Sequence, residues 1–192
     1  MLSSAFRLCS FLLAVILHEL GHIVAARALG VRFRRLALKQ TGLCLITSEA
    51  GFPSYDDELI CALGGPVAGA LSALVARGLG CLLPCLAPFV QEFIPFSLAL
   101  SLLNLLPLRG FDGARILTCL LSCHHRRHLP SLSPTDAARV VSLLSCLVLL
   151  LLWLLSIYLL LRTGSALSLY LFCLQLFRSL ARENGDTAEN FG

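Results

Sequence analysis

The run from Val140 to Leu161 contains no charged residue. About 20 consecutive apolar residues suffice to cross the hydrocarbon core of a bilayer, and there a helix satisfies every backbone group internally. Other runs read the same way: Ala5 to Leu29, Leu59 to Leu79, and Phe93 to Leu121, the last interrupted by Pro95 and Pro107. A shorter fifth covers Ala166 to Leu180. The chain is 57% hydrophobic and 14% charged, against about 45–50% and 25% in an ordinary soluble domain. One core of 192 residues cannot hide that surface from water, so a soluble globular enzyme and a disordered tail are excluded. Basic residues are scattered along the chain rather than gathered on one face, which argues against nucleic acid as a partner. The expectation is an all-α integral membrane protein of about five transmembrane helices. Residues 1–182 form one membrane-embedded domain and 183–192 a polar C-terminal tail.

No small-residue cleavage site follows the first run, so it reads as a span and not as a signal peptide. Arg27, Arg32, Arg34, Arg35 and Lys39 follow that span, Arg126, Arg127 and Arg139 follow the third, and Arg178 and Arg182 close the fifth. Only Arg7, Arg77 and Arg162 fall on the opposite side. The positive-inside rule then places the N-terminus outside and the C-terminus in the cytosol of a multi-pass protein. Between the first two spans, Arg35–Lys39 and Leu43–Thr47 flank Gln40-Thr41-Gly42 and read as a small β-hairpin. Ser54 followed by Asp56, Asp57 and Glu58 reads as a helix start. The nine cysteines are odd in number and form no CxxC pair. They read as small buried hydrophobes, with a Cys81–Cys85 disulfide left open.

The segment that carries chemistry is His18-Glu19-Leu20-Gly21-His22, an HExxH motif. Residues i and i+4 share a helix face, so both imidazoles reach one metal ion. Glu19 is turned away by one position, which suits a base acting on water better than a third ligand. Ionisable groups at membrane depth cost about 2.5–3.5 kcal/mol or more each unless compensated, and a divalent cation compensates them. A catalytic zinc site takes three protein ligands and leaves one position open. Asp112, in Asn104-Leu-Leu-Pro107-Leu-Arg-Gly-Phe-Asp112-Gly113, is the carboxylate at matching depth, whereas Glu92 lies at the far end of its span. Zinc, one carboxylate and a hydroxide sum to zero charge, which an apolar interior tolerates. Asn104, Pro107 and Gly110 mark an irregular backbone beside Asp112, allowed at this depth where protein buries it or water reaches it. The small residues Gly64-Gly65-Pro66-Val67-Ala68-Gly69 read as a helix-packing face. The loop His124-His-Arg-Arg-His128 also offers His at i and i+4, but it lacks a carboxylate and carries two arginines, so it reads as solvated.

These segments resemble the site-2 protease family of intramembrane zinc metalloproteases. The resemblance rests on HELGHIVAA (His18–Ala26), GGPVAG (Gly64–Gly69) and NLLPLRGFDG (Asn104–Gly113), in order and on separate spans. It implies cleavage of a peptide bond within or beside the transmembrane helix of a membrane-protein substrate, that is, regulated intramembrane proteolysis. By position it implies one zinc per chain held by His18, His22 and Asp112, Glu19 as catalytic glutamate, and Asn104 holding or polarising the substrate. It also implies that the hairpin pairs with substrate strands. The compact form is most similar to the sporulation pro-sigma-factor processing branch, but without its C-terminal nucleotide-sensing domain. The regulatory partner is not legible. The other readings are a catalytically inactive scaffold of the same family and a metal transporter. The first would have lost motif residues, and the second would need polar groups continuing through the bilayer.

Overall fold

Long apolar runs with no water to compete for their backbone become helices, and helices dominate the computed structural model, which describes residues 2–31, 33–39, 42–47, 54–128 and 134–163. In order these are α1 (Leu2–Ala28), β1 (Phe33–Lys39), β2 (Gly42–Thr47), α2 (Tyr55–Leu82), a short 3-10 turn (Pro84–Leu86), α3 (Ala87–Asn104), α4 (Asp112–His128) and α5 (Pro134–Thr163). Four segments among the described residues are long and apolar enough to cross a membrane: Phe6–Ala28, Tyr55–Leu82, Pro84–Asn104 and Asp136–Tyr158.

The third span differs from the expectation. Instead of one interrupted helix from Phe93 to Leu121, α3 ends at Asn104 and a separate α4 begins at Asp112. Pro107 has no N–H to continue the ladder. Gly110 takes a positive φ of 96°, and the Phe111 N–H turns back to the Leu108 carbonyl at 3.0 Å. Pro95, expected as a second interruption, sits inside a continuous α3, as Pro66 sits inside α2; prolines are tolerated in membrane helices whose neighbours re-satisfy the freed carbonyls. The segment His124–His128 is the last part of α4 rather than a loop. The fifth expected span, 166–180, and the tail, 183–192, lie outside the described residues.

α2 starts where its sequence directs. Ser54 has extended backbone (φ −146°, ψ 161°); its Oγ accepts from the Asp57 N–H at 3.1 Å and donates to Asp57 Oδ2 at 2.8 Å. Asp56, Asp57 and Glu58 occupy the first turn, where the helix dipole favours negative charge. Between α1 and α2, β1 and β2 pair antiparallel, with Leu36 opposite Leu45, Lys39 opposite Gly42, and an irregularity between Phe33 and Arg35.

The packing is inverted relative to a soluble domain. Ala14, Ala26, Cys61, Ala62 and Ala73 are buried, whereas Leu74 is 66% and Leu143 72% exposed. Lipid tails solvate leucine as well as protein does, so association comes from close backbone approach at small residues. α1 and α2 touch at Gly21 and Gly64: a Cβ on Gly21 would strike the Gly64 carbonyl oxygen and stand 2.5 Å from Ala68 Cβ. α2 and α3 are joined at Gly69, whose carbonyl accepts from Ser97 Oγ at 2.8 Å and from Ser72 Oγ at 2.8 Å. α1 and α3 run side by side in the same direction. Arg7 pairs with Glu92 at 3.2 Å, Phe11 meets Phe96 edge-on with centroids 5.9 Å apart, and further along the same pair of helices His18 faces Asn104. Cys81 and Cys85 are free thiols.

Candidate metal centre

The buried stripe of α1 is Ser10, Ala14, His18, His22 and Ala26, one residue every four. That spacing keeps a single face turned towards α2 and α3, and it carries both imidazoles inward. Glu19, one position on, is half-buried at the edge of the same face. From the other side comes Asp112, 94 residues after His18 and the first residue of α4.

The three side chains meet. Asp112 Oδ2 lies 3.1 Å from His18 Nε2 and 3.2 Å from His22 Nε2, and one ligand atom from each of the three lies within 4.8 Å of the others. His18 is 2%, His22 7% and Asp112 9% exposed. Asn104, at the end of α3, brings Nδ2 to 3.3 Å from His18 Nε2. The Glu19 carboxylate lies within electrostatic range of His18, His22 and Asp112. All five residues singled out in the sequence therefore converge. Glu92 does not: it sits at the opposite end of α3 with Arg7. The side chains of His124 and His128 lie outside what is described.

The orientation of His22 is fixed from behind. Its Nδ1 stands 2.8 Å from the Cys61 carbonyl oxygen and 3.3 Å from the Gly65 amide nitrogen. One tautomer cannot serve both, since the carbonyl needs an N–H and the amide needs a lone pair. The shorter contact therefore decides: Nδ1–H donates to Cys61, and the Nε2 lone pair points into the centre, as metal-ligating histidines require. His18 Nδ1 is buried without a hydrogen-bond partner among the described residues.

Gly65 shapes the space between the rings. A Cβ built there would strike His22 Nε2 and lie 2.6 Å from His22 Cε1 and 2.7 Å from His18 Nε2. The small-residue segment of α2 thus does two things on adjacent residues: Gly64 packs against α1, and Gly65 leaves a gap that both Nε2 atoms face. Packing alone was the expectation from sequence. Neither Gly65 nor the Cys61 carbonyl was singled out. The GGPVAG segment was the available signal, but a glycine pair does not say which member faces the histidines.

A metal ion fits this donor set. Two neutral imidazoles and a carboxylate match a catalytic zinc site with one position left open. Tetrahedral ligand atoms at zinc distances stand about 3.3 Å apart, close to the 3.1 Å and 3.2 Å separations of Asp112 Oδ2 from the two imidazoles.

No protein-family model and no curated protein matches the sequence at a significant score. Among solved structures, the chain is similar to the Site-2 Protease from Methanocaldococcus jannaschii, with a TM-score of 0.62 over 88% of this chain and 74% of that one, at 21% identity. The shared property is the fold.

Proposed function

We propose that this protein is an intramembrane zinc metalloendopeptidase that hydrolyses a peptide bond within or next to a transmembrane segment of a membrane-protein substrate. The observation that carries the reading is the convergence of His18, His22 and Asp112 around the gap left by Gly65, at the depth of helices fit to cross a membrane. The fold shared with a solved site-2 protease supports it.

His18, His22 and Asp112 would hold the zinc ion, which when bound supplies a Lewis acid and lowers the pKa of water towards about 7. The chain's own residues do the rest. The Glu19 carboxylate takes a proton from the attacking water and returns it to the leaving amine, the two halves of general acid–base catalysis. Asn104 Nδ2, already on the centre's edge, donates a hydrogen bond to the oxygen that becomes negative as the carbonyl is attacked. The Cys61 carbonyl keeps His22 in the tautomer that can ligate. The substrate has to be unwound, because a helical peptide carbonyl is already bonded and shielded; Gly, Pro or Asn in its spanning helix lowers that cost, and the β1–β2 pair offers edges for the extended form. A cytosolic side for the centre is supported by the basic residues that follow α1 in the sequence.

Metal content tests the ligand set on which this reading depends. Purified protein is expected to hold one zinc per chain, and His18→Ala, His22→Ala and Asp112→Ala are each expected to lose most of it while remaining in the membrane fraction. Full zinc occupancy in any of these three variants would remove that residue from the ligand set.

A further inference from the structure

The bridge of residues 105–111 between α3 and α4 starts at Asn104 and ends at Asp112, and both of these contact His18 Nε2. Within it, the Leu106 N–H bonds to Leu103 O, Leu108 N–H to Leu106 O, and Phe111 N–H to Leu108 O. A continuing helix would have given the Phe111 N–H to Pro107 O. That carbonyl, at the middle of the bridge, instead accepts from a side chain of α5: Ser145 Oγ lies 2.6 Å away. Ser145 is 3% exposed. A mid-helix serine ordinarily bonds the carbonyl four residues back in its own helix, and Val141 O is indeed 2.7 Å from the same hydroxyl. One hydroxyl proton thus serves two acceptors. The helical carbonyl has other means of satisfaction, whereas among the described residues Ser145 is the donor to Pro107. At membrane depth an unbonded carbonyl is strongly disfavoured.

We propose that Ser145 is a positioning residue: its hydroxyl holds the Pro107 carbonyl and thereby sets where the bridge delivers Asn104 and Asp112 to the metal centre. The start of the bridge also packs against Gly113 of α4, where a Cβ would strike the Leu105 carbonyl oxygen and lie 2.5 Å from Leu106 O. The bridge is therefore held between α4 and α5. The seating of α5, an outer helix with Leu143, Leu147 and Leu150 half or more exposed, is transmitted to two site residues through the bridge. The inference rests on the metalloprotease reading for its consequence, though not for the tether itself.

Ser145→Ala, Ser145→Thr and, as a control on the same helix, Ser142→Ala are compared with wild type by two measurements. Amide hydrogen exchange over residues 104–112 is followed in metal-free protein, and zinc affinity is measured by chelator competition. Ser145→Ala is expected to exchange several-fold faster at Leu108 and Phe111 and to bind zinc about 10-fold more weakly. Ser145→Thr, which keeps the hydroxyl, is expected to restore both, and Ser142→Ala to change neither. The proposal is overturned if Ser145→Ala matches wild type in both measurements, if Ser142→Ala shows the same losses, or if threonine fails as alanine does. A wild-type protein that takes up no zinc would overturn the metalloprotease reading instead, and the exchange rates would still decide whether Ser145 holds the bridge.

Discussion

At Gly65 the imidazoles of His18 and His22 stand where a side chain on α2 would otherwise be. An added methyl group would occupy the space between the two Nε2 atoms, so it would compete with the ion rather than with the fold. Gly65→Ala is accordingly expected to weaken zinc binding on the order of 100-fold, at the upper end of effects from residues just outside a ligand set, with α2 intact because alanine is the better helix former. Chelator competition beside helical content by circular dichroism checks this, and wild-type affinity in the variant would place the ion elsewhere. The three residues that converge were legible in the sequence as candidate ligands, since His at i and i+4 with Glu between them has few uses at membrane depth, and Asp112 is the carboxylate at their level. Gly65 and the Cys61 carbonyl were not. A backbone carbonyl leaves no mark on residue type, and the rotation of α2 relative to α1 is set by the contact of Gly21 with Gly64, which pattern alone does not reveal.

Among the elements, the crossing of α1 and α2 carries the site, because the residues that let the backbones touch lie beside the histidines. A Cβ on Gly21 would meet the Gly64 carbonyl and Ala68, so the helices would have to move apart. Gly21→Ala is expected to destabilise the protein by about 1–3 kcal/mol, the usual cost of overpacking, and also to lower zinc occupancy. Gly78→Ala is the matching control, since a Cβ there meets nothing within 4 Å; it is expected to be neutral or slightly stabilising. Unfolding titrations in detergent measure both, and equal stability of the two variants would mean that the crossing is looser than its geometry. The spans were readable from apolar length. The start of α4 was not: Pro107 and Gly110 announced irregularity, but the direction in which the chain resumes depends on the turn at Gly110 and on partners supplied by Gly113 and Ser145. α5 is apolar on every side, so nothing in its pattern shows which face meets the bridge.

For the whole molecule, two independent properties must agree: how the chain sits in the bilayer and what its centre does there. The excess of basic residues on one side supports the proposed orientation, with the turn between α2 and α3 outside. Cys81, in the last turn of α2, and Cys85, within that 3-10 turn, are exposed free thiols and are expected to react with a membrane-impermeant maleimide added to intact cells. Labelling that requires permeabilisation would reverse the assignment. The low charged content that marks the membrane setting also narrows where chemistry can be, because buried Asp112 and half-buried Glu19 lie near the two histidines while Glu92 is paired with Arg7 at the opposite end of α3. Zinc binding alone would not make the protein a protease, since a scaffold or a transporter could share it. The most direct measurement therefore compares wild type with Glu19→Gln, reconstituted in liposomes with a transmembrane peptide weakened by Gly and Pro. Zinc content is determined on the same samples and fragments are identified by mass spectrometry. Wild type is expected to produce fragments cut within or beside the spanning segment, with a metal chelator abolishing them. Glu19→Gln is expected to retain its zinc and produce none. Cleavage by Glu19→Gln at the wild-type rate, or wild-type cleavage indifferent to the chelator, would contradict the account.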